Sequence, residues 1–182
     1  ERALAILEKV HGPEHPAVAS VVNNLGLVLK DLGDYAGARA ALERALAIRE
    51  KVYGLEHPAV AGAVNNLGNG LKNLGDYAGA RAAYERALAI LEKVHGPEHP
   101  AVVSAVNNLG SVLKDLGDYA GARAAYERAL AIDEKVYGPE HPAVAGAVNN
   151  LGCVLQDLGE LAGARAALER ALAIDEKVYE IG

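Results

Sequence analysis

Histidine is the residue type in this chain that points most directly to metal binding or acid–base catalysis. The chain has six histidines, and His11 and His15 lie four residues apart, as do His95 and His99. A glycine and a proline stand between the members of each pair, so the two rings cannot share one helical face, as a zinc-binding pair must. A histidine directly before a proline instead predicts a helix cap that packs against the neighbouring loop. Four histidines have this position: His15, His57, His99 and His141.

Cysteine and glycine supply the other candidates for chemistry. Cys153 is the only cysteine, so neither an internal disulfide nor a cysteine metal cluster can form. No histidine or cation adjoins it in sequence, and we expect a passive thiol rather than a nucleophile. Gly62, Gly68 and Gly70 form a glycine-rich segment, but no Gly-Lys-Ser or Gly-Lys-Thr follows, as it does in a phosphate-binding loop. We therefore predict a protein that is not an enzyme and has no catalytic residue, metal or cofactor.

The composition narrows the range of partners. The formal net charge is -6 at pH 7, which argues against a general nucleic-acid-binding protein because such proteins carry a basic face. No stretch reaches the roughly 18 uncharged apolar residues of a membrane span, and no secretory signal is present. The single cysteine fits a reducing compartment. We predict a cytoplasmic location, with neither nucleic acid nor membrane as a partner.

An internal repeat governs the organisation of the chain. The sequence Asn-Asn-Leu-Gly occurs four times, beginning at Asn23, Asn65, Asn107 and Asn149, at a constant spacing of 42 residues. A constant period of roughly 20–50 residues is typical of a stacked repeat array. We predict a single repeat domain over residues 1–182 and, because the chain begins inside a repeat, expect it to be part of a longer array. The domain comprises a half repeat at 1–13 and four repeats at 14–55, 56–97, 98–139 and 140–181.

Each repeat contains two predicted helices, A and B. In the first repeat, helix A extends from Pro16 to about Leu32 and carries an apolar stripe at helical period that ends with Leu32. Helix B extends from about Tyr35 to Val52, with Asp34 as its expected N-cap. Proline at the first helical position and glycine after the last are the expected boundary signals. The chain is thus predicted to be all-α, with about nine helices.

Six positions in each repeat carry a family resemblance. The pattern recurs every 42 residues, with Tyr84 and Tyr126 at one of the positions in the second and third repeats. In order and spacing, the six positions resemble the tetratricopeptide repeat signature. The resemblance implies a right-handed α-solenoid, a superhelix of helix-turn-helix repeats, and a non-catalytic protein-interaction scaffold. In the first repeat the six residues are Leu25, Gly26, Leu29, Ala38, Leu42 and Ala45.

The period indicates a particular type of repeat. Tetratricopeptide repeats usually have about 34 residues, and a proline usually closes their second helix. Here Glu50 and its equivalents take that place, and helix B continues for about two more turns before the next loop. This long form is similar to the repeats of the kinesin light chain. It also resembles the arrays that follow nucleotide-binding domains in some bacterial and fungal signalling proteins.

The resemblance implies that the A helices line a concave groove for a peptide or protein segment. Asparagine side chains can hold both an N–H and a C=O of an extended peptide, so the repeated pairs predict a ladder of amide groups. The alternative is that one asparagine of each pair bonds within its own repeat and orients the next A helix. The predicted groove residues are Asn23, Asn24, Leu27 and Lys30, then Asn65, Asn66, Asn69 and Lys72, then Asn107, Asn108, Ser111 and Lys114, and finally Asn149, Asn150, Cys153 and Gln156.

Charged residues refine this prediction. Lys30 and Lys114 are directly followed by Asp31 and Asp115, whereas a groove that holds acidic chain ends needs unopposed cations. A preference for acidic peptides is therefore not expected, and the variable position at residues 27, 69, 111 and 153 is where specificity would reside. Charged residues on the outer side of helix B, such as Arg44, predict a solvated face.

Neither end of the array shows the polar cap that repeat arrays normally carry. The last helix B is predicted to expose Leu168, Leu172 and Ile174. We expect end-to-end stacking of one chain on another, a heterologous contact that can continue into fibres.

The leading interpretation is a non-catalytic scaffold that binds a peptide or protein segment in the groove of the A helices. One alternative is an architectural or sensor arm of a larger signalling NTPase. Another is a consensus-like repeat protein without a partner, which associates with itself end to end.

Overall fold

The computed structural model describes residues 2–180, and the regular secondary structure of this part is helical. The all-α prediction is confirmed, and the nine α-helices found in the described residues agree with the predicted number. A single 3₁₀ turn, Pro100–Val102, precedes the sixth helix. The helices are α1 Arg2–His11, α2 Pro16–Asp31, α3 Tyr35–Tyr53, α4 Pro58–Asn73, α5 Tyr77–His95, α6 Val103–Asp115, α7 Tyr119–Tyr137, α8 Pro142–Asp157 and α9 Leu161–Glu180.

The helices belong to two compact units, residues 1–96 and residues 97–182. In the first unit the hairpin α2–α3 packs against the hairpin α4–α5, and α1 lies against α2. In the second unit the hairpins α6–α7 and α8–α9 pack in the same way. The A helices are α2, α4, α6 and α8. The single-domain description of residues 1–182 stays a prediction, and residues 181 and 182 lie outside the described part.

Local sequence signals determine where the helices begin and end. The Asp34 carboxylate caps α3 by accepting a hydrogen bond from the backbone N–H of Gly37 at 2.9 Å. Gly54 ends α3 with φ of 80°, a left-handed conformation that favours glycine. The predicted N-cap at Asp34 and the glycine stops are therefore confirmed.

The glycine of the Leu-Gly signature allows the two helices of a hairpin to approach closely. A Cβ atom built on Gly26 would lie 2.8 Å from Cγ of Leu42, and one built on Gly68 would lie 2.6 Å from the Tyr84 ring. Contacts this short force neighbouring atoms to move, so a larger residue would push the hairpin open. This explains the recurrence of Gly in every copy of the signature.

The core of each unit lies between successive helices, and two predictions about its limits are wrong. Leu32 is 76% exposed because it lies beyond the end of α2 as its C-cap residue. Ile174 is only 4% exposed, since it faces Val144 and its neighbours on α8 of its own hairpin. Leu172 is 58% exposed, as predicted, and Leu168 is half-buried.

Candidate functional site

The histidines before proline are helix caps. Nδ1 of His15, His57, His99 and His141 accepts a hydrogen bond from the backbone N–H two residues further on, at 3.1 Å in each case. The ring of His57 stacks on Tyr53 with 4.7 Å between centroids, and the His141 ring stacks on Tyr137 at 4.6 Å. Among residues 2–180, no three histidine, cysteine, aspartate or glutamate side chains are grouped as a metal site. The capping prediction is confirmed.

The predicted groove residues follow the A helices and differ in exposure. Asn23 is the one that is buried, at 6% exposure. Asn24, Asn149 and Gln156 are exposed. The other twelve are half-buried: Leu27, Lys30, Asn65, Asn66, Asn69, Lys72, Asn107, Asn108, Ser111, Lys114, Asn150 and Cys153. We call this set of sixteen residues the A-helix face.

In the first unit the asparagine pairs connect consecutive repeats. Nδ2 of Asn66 on α4 donates a hydrogen bond to Oδ1 of Asn23 on α2 at 2.9 Å. Nδ2 of Asn23 approaches Oδ1 of Asn24 at 3.5 Å, the weak limit of such a bond. The 2.9 Å bond joins two repeats, whereas the alternative from the sequence placed such a bond within one repeat. Asn23 therefore has a role in joining the hairpins.

The equivalent position in the second unit behaves differently. Asn107 is the equivalent of Asn23 two repeats further along the chain. Its Oδ1 atom is buried and has no hydrogen-bond partner within residues 2–180. A buried acceptor without a donor carries a desolvation cost of about 1–3 kcal/mol. The second unit consequently lacks the amide bond that joins α2 to α4.

Two residues of the variable position bond to the B helix of their own hairpin. Oδ1 of Asn69 accepts a hydrogen bond from the Tyr84 hydroxyl at 2.7 Å, and Ser111 is hydrogen-bonded to Tyr126. Burial raises the pKa of Tyr126 even though its bond to Ser111 acts in the opposite direction. The polar residues at this position thus satisfy buried tyrosines.

The sequence contains a signal for this pairing that was missed. Asn69 and Ser111 occur in the two repeats that have a tyrosine fifteen residues later, whereas Leu27 and Cys153 occur in the repeats with Leu42 and Leu168 there. A buried tyrosine hydroxyl needs a partner, and a buried leucine does not. Part of the variation assigned to specificity therefore follows from internal packing.

Two lysines of the A-helix face, Lys30 and Lys114, are paired with carboxylates. Nζ of Lys114 lies 3.1 Å from Asp157, on the A helix of the next repeat, and Nζ of Lys30 lies 3.1 Å from Asp31. The hydrogen bond to Asp157 raises the pKa of Lys114. These pairs reduce the positive charge that an acidic peptide would require.

The B helices carry ion pairs that link neighbouring repeats. Arg86 on α5 donates to Glu50 on α3 at 2.5 Å, and Arg170 on α9 donates to Glu134 on α7 at 2.5 Å. Arg44 forms the same pair with Glu8 on α1. Sequence analysis predicted a solvated face here, and it missed that Arg and Glu separated by 36 residues meet across the repeat junction. These pairs therefore join neighbouring repeats within each unit.

These features define a class of protein: a helical repeat protein whose polar groups recur at a fixed interval instead of converging on one centre. None of the described helices is long and apolar enough to cross a membrane. The chain matches the tetratricopeptide repeat family over residues 1–51, 18–93, 60–134 and 102–177. It therefore belongs to the tetratricopeptide repeat family, which confirms the resemblance and the α-solenoid fold class.

Solved structures support the long-repeat type. A putative kinesin light chain from Podosopora anserina with nearly identical TPR-like repeats is 26% identical, with a TM-score of 0.84 over 98% of this chain and 84% of that one. BtubC (BKLC) from P. vanneervenii is 27% identical, with a TM-score of 0.82 over 91% of this chain. The chain spans only 66% of the length of BtubC. No curated protein matches the chain.

A more distant structure shows the fold alone. Aspartyl phosphate phosphatase F from Bacillus subtilis is 14% identical and has a TM-score of 0.78 over 91% of this chain and 42% of its own. At this identity the likeness concerns the arrangement of helices and carries no functional inference.

Proposed function

We propose that this chain is a non-catalytic scaffold that binds an extended peptide or protein segment along its A-helix face. The observation that carries the proposal is the recurrence of half-exposed amide side chains at the same position of successive A helices, with Asn66 in the first unit and Asn150 in the second. Tetratricopeptide repeats form protein-interaction scaffolds, and this chain belongs to that family. A face of fixed amide groups suits a guest whose backbone supplies regularly spaced N–H and C=O groups.

Small residues leave space for a guest beside these amides. Gly62 and Gly146 are exposed on α4 and α8, and a Cβ atom built on either would meet no other atom within 4 Å. Ser20 and Ser104 occupy the equivalent position on α2 and α6 and are also exposed. A backbone can approach closely where no side chain intervenes. The small size of the residues at this position supports contact with main-chain groups of a guest.

The charges of the face define the chemistry of the guest. Lys114 is paired with Asp157, and Lys30 with Asp31, so a carboxylate of the guest would have to displace an internal partner. We expect an uncharged polar segment to bind better than an acidic one. The affinity should accordingly change little between low and moderate salt, since few counterions are exchanged.

A peptide-array screen tests the proposal. Wild-type protein should bind a subset of extended peptides, and Asn66→Ala with Asn108→Ala should weaken that binding. Val136→Glu is a matched surface control because Val136 is 42% exposed on α7, outside the A-helix face. Absence of any bound peptide, or binding that is unchanged in the double variant, would contradict the proposal.

We also propose that one chain associates with another through the ends of the array. The observation that favours this is the exposure of Leu172, at 58%, where the equivalent Leu46 is 9% exposed. Leu46 lies at a junction between repeats, and Leu172 occupies the same position on the last described helix. At the junctions inside the two units Leu46 is buried and Leu130 is half-buried, so an exposed leucine at this position favours a partner.

A further inference from the structure

A buried carboxylate lies at the repeat junction of the second unit. Asp133 on α7 is only 5% exposed, and α7 packs against α8 of the next hairpin. Within residues 2–180, no side-chain hydrogen bond to its carboxylate is found. A charged carboxylate is stable in a protein interior only when it is paired or hydrogen-bonded, since burial removes its hydration. The charged form of Asp133 is therefore unfavourable at this junction.

The position of Asp133 on α7 directs it toward the start of α8. Leu130, three residues earlier and hence on the same face of α7, packs against the buried cluster that includes Val144 and Ile174. His141 is the N-cap of α8, and its charge acts on Asp133. The carboxylate thus lies where α7 meets the beginning of the hairpin α8–α9.

The first unit has a different residue at the equivalent position. Arg49 on α3 corresponds to Asp133, and its guanidinium donates a hydrogen bond to the backbone C=O of Ala59, in the first turn of α4, at 3.2 Å. Arginine stays protonated in folded proteins, so this bond does not depend on pH. Of the two junctions inside the units, the second therefore has a buried carboxylate where the first has a hydrogen-bonded cation.

Charged and titratable groups surround Asp133 on the elements packed near it. His99 precedes the 3₁₀ turn that packs on α7, His141 precedes α8, and Arg170 on α9 pairs with Glu134, the neighbour of Asp133. The charged residues of α6 and α8 lie in the last turn of each helix. Of all these groups, His141 is the one whose charge acts on Asp133.

Two opposing influences determine when Asp133 is charged. Burial raises the pKa of its carboxyl group, and the positive charge of His141 acts in the opposite direction and is the smaller influence. The folded chain therefore takes up a proton at Asp133 at a higher pH than the unfolded chain does. Once it is neutral, the carboxyl group can remain buried at a much lower cost.

We propose that Asp133 makes the second unit responsive to pH, because proton uptake by its carboxylate strengthens the packing of the hairpin α8–α9 on α7. The inference is independent of peptide binding and of association between chains. The gain in stability is absent at neutral pH. It grows as the pH falls through the raised pKa of the folded protein and is complete below the ordinary aspartate pKa of about 3.9.

Urea denaturation of the full chain between pH 7 and mildly acidic pH tests the response. Asp133→Asn removes the buried charge and keeps the shape of the side chain, so at pH 7 it should unfold at a higher urea concentration than the wild type. The difference should shrink as the pH falls. Every other titratable group is common to the two proteins, so the difference isolates Asp133. Asp31→Asn is the control, since the Asp31 side chain is 72% exposed, and it should match the wild type throughout.

The result that would overturn the proposal is an Asp133→Asn variant that unfolds at a lower urea concentration than the wild type at pH 7, or a difference that does not change with pH. Carboxyl ¹³C NMR of the wild type gives a second measurement that needs no variant. The Asp133 signal should titrate at a higher pH in the folded chain than in the urea-unfolded chain. Titration at the same or a lower pH would also contradict the proposal.

A variant of His141 tests the neighbouring charge separately. His141→Asn keeps a side chain that can cap α8 and removes the positive charge that favours the charged form of Asp133. The Asp133 carboxyl group should therefore titrate at a higher pH in this variant than in the wild type. An unchanged or lower titration pH would contradict the opposing role assigned to His141.

Discussion

The repeat junctions inside the two units use the same 42-residue pattern and are held by different interactions. In the first unit, Asn66 of α4 bonds to Asn23 of α2, and α4 presents Gly70 to Leu42, with 3.1 Å between the Cβ position of Gly70 and Leu42 Cδ1. In the second unit, α8 presents Val154, which is fully buried, and the acceptor of Asn107 has no partner. A hydrogen bond joins the helices where a side chain is absent, and apolar packing joins them where a valine is present.

This contrast shows that the signature positions alone do not determine which interactions hold neighbouring repeats together. The signature glycines and alanines occur in all four repeats, yet position 70 is a glycine and its equivalent 154 is a fully buried valine. Burial of a valine contributes about 1.5–3 kcal/mol, and a single hydrogen bond contributes about 0.5–1.5 kcal/mol. We therefore expect the second junction to depend on Val154 more than the first depends on Asn23.

The largest effect should come from Val154→Ala. Removing the buried side chain should reduce the free energy of unfolding by about 2 kcal/mol, because apolar burial is lost and a cavity remains beside Tyr126. Val28→Ala is the matched control and should change stability by less than about 0.5 kcal/mol, since Val28 is 54% exposed. Urea denaturation measures both, and equal losses in the two variants would contradict the assignment of apolar packing to the second junction.

The next effect distinguishes the two asparagines. Asn23→Ala should lower the free energy of unfolding by about 1–2 kcal/mol, because Asn66 loses its acceptor. Asn107→Ala should be close to neutral, since it removes a buried acceptor that already lacks a donor. Chemical denaturation of the two variants at the same protein concentration measures the difference between their free energies of unfolding. A larger loss for Asn107→Ala would show that its amide bonds in solution, and the contrast between the junctions would disappear.

A smaller effect in the opposite direction is expected at two exposed glycines beside the A-helix face. Gly62→Ala and Gly146→Ala should each stabilise their unit by roughly 0.5–1 kcal/mol, because alanine favours the helix and meets no atom within 4 Å. Gly68→Ala, six residues later on the same helix, should destabilise because its Cβ would lie 2.6 Å from Tyr84. Thermal unfolding monitored by circular dichroism should therefore show a higher midpoint for Gly62→Ala and Gly146→Ala and a lower midpoint for Gly68→Ala. A stabilised Gly68→Ala would contradict the close helix crossing.

The smallest effect concerns the ion pair of Lys114 and Asp157. Both side chains are about one-third exposed, so Lys114→Gln should cost less than about 1 kcal/mol at low salt and almost nothing at high salt. The pair raises the pKa of Lys114 in the folded protein. Its contribution to the free energy of unfolding is therefore complete below the ordinary lysine pKa of about 10.4 and is lost as the pH rises through the raised pKa. Denaturation midpoints at pH 7 and at alkaline pH measure this, and a salt-independent loss would indicate a packing role for the lysine stem.

Local signals explain which features of the fold could be predicted from the sequence. The start of α2 at Pro16, its His15 cap and the Asp34 cap depend on residues within a few positions of each other. The exposure of Leu32 was missed because periodicity does not reveal whether a terminal apolar residue lies past the last turn. Local rules therefore predict helix boundaries better than they predict burial at helix ends.

The candidate site was less predictable because its bonds connect different helices. The partner of Asn66 lies 43 residues away, and an asparagine that faces solvent has the same sequence signature as one that bonds to a neighbour. The pairing of Asn69 with Tyr84 could have been found, since tyrosine and a polar partner vary together between repeats. Exposure of the remaining amides depends on helix packing that the sequence alone does not specify.

We propose that the A-helix face binds a guest through its half-exposed amides, whereas in the first unit the buried amide of Asn23 joins two repeats. Asn23→Ala and Asn66→Ala abolish the same internal hydrogen bond, but only Asn66 is half-exposed on the face. The most direct test is a calorimetric titration of a peptide selected on the array against these two variants and the wild type. We predict that Asn66→Ala weakens binding about tenfold, the equivalent of about 1.4 kcal/mol, whereas Asn23→Ala stays close to the wild type. Equal affinities for the two variants would contradict the claim.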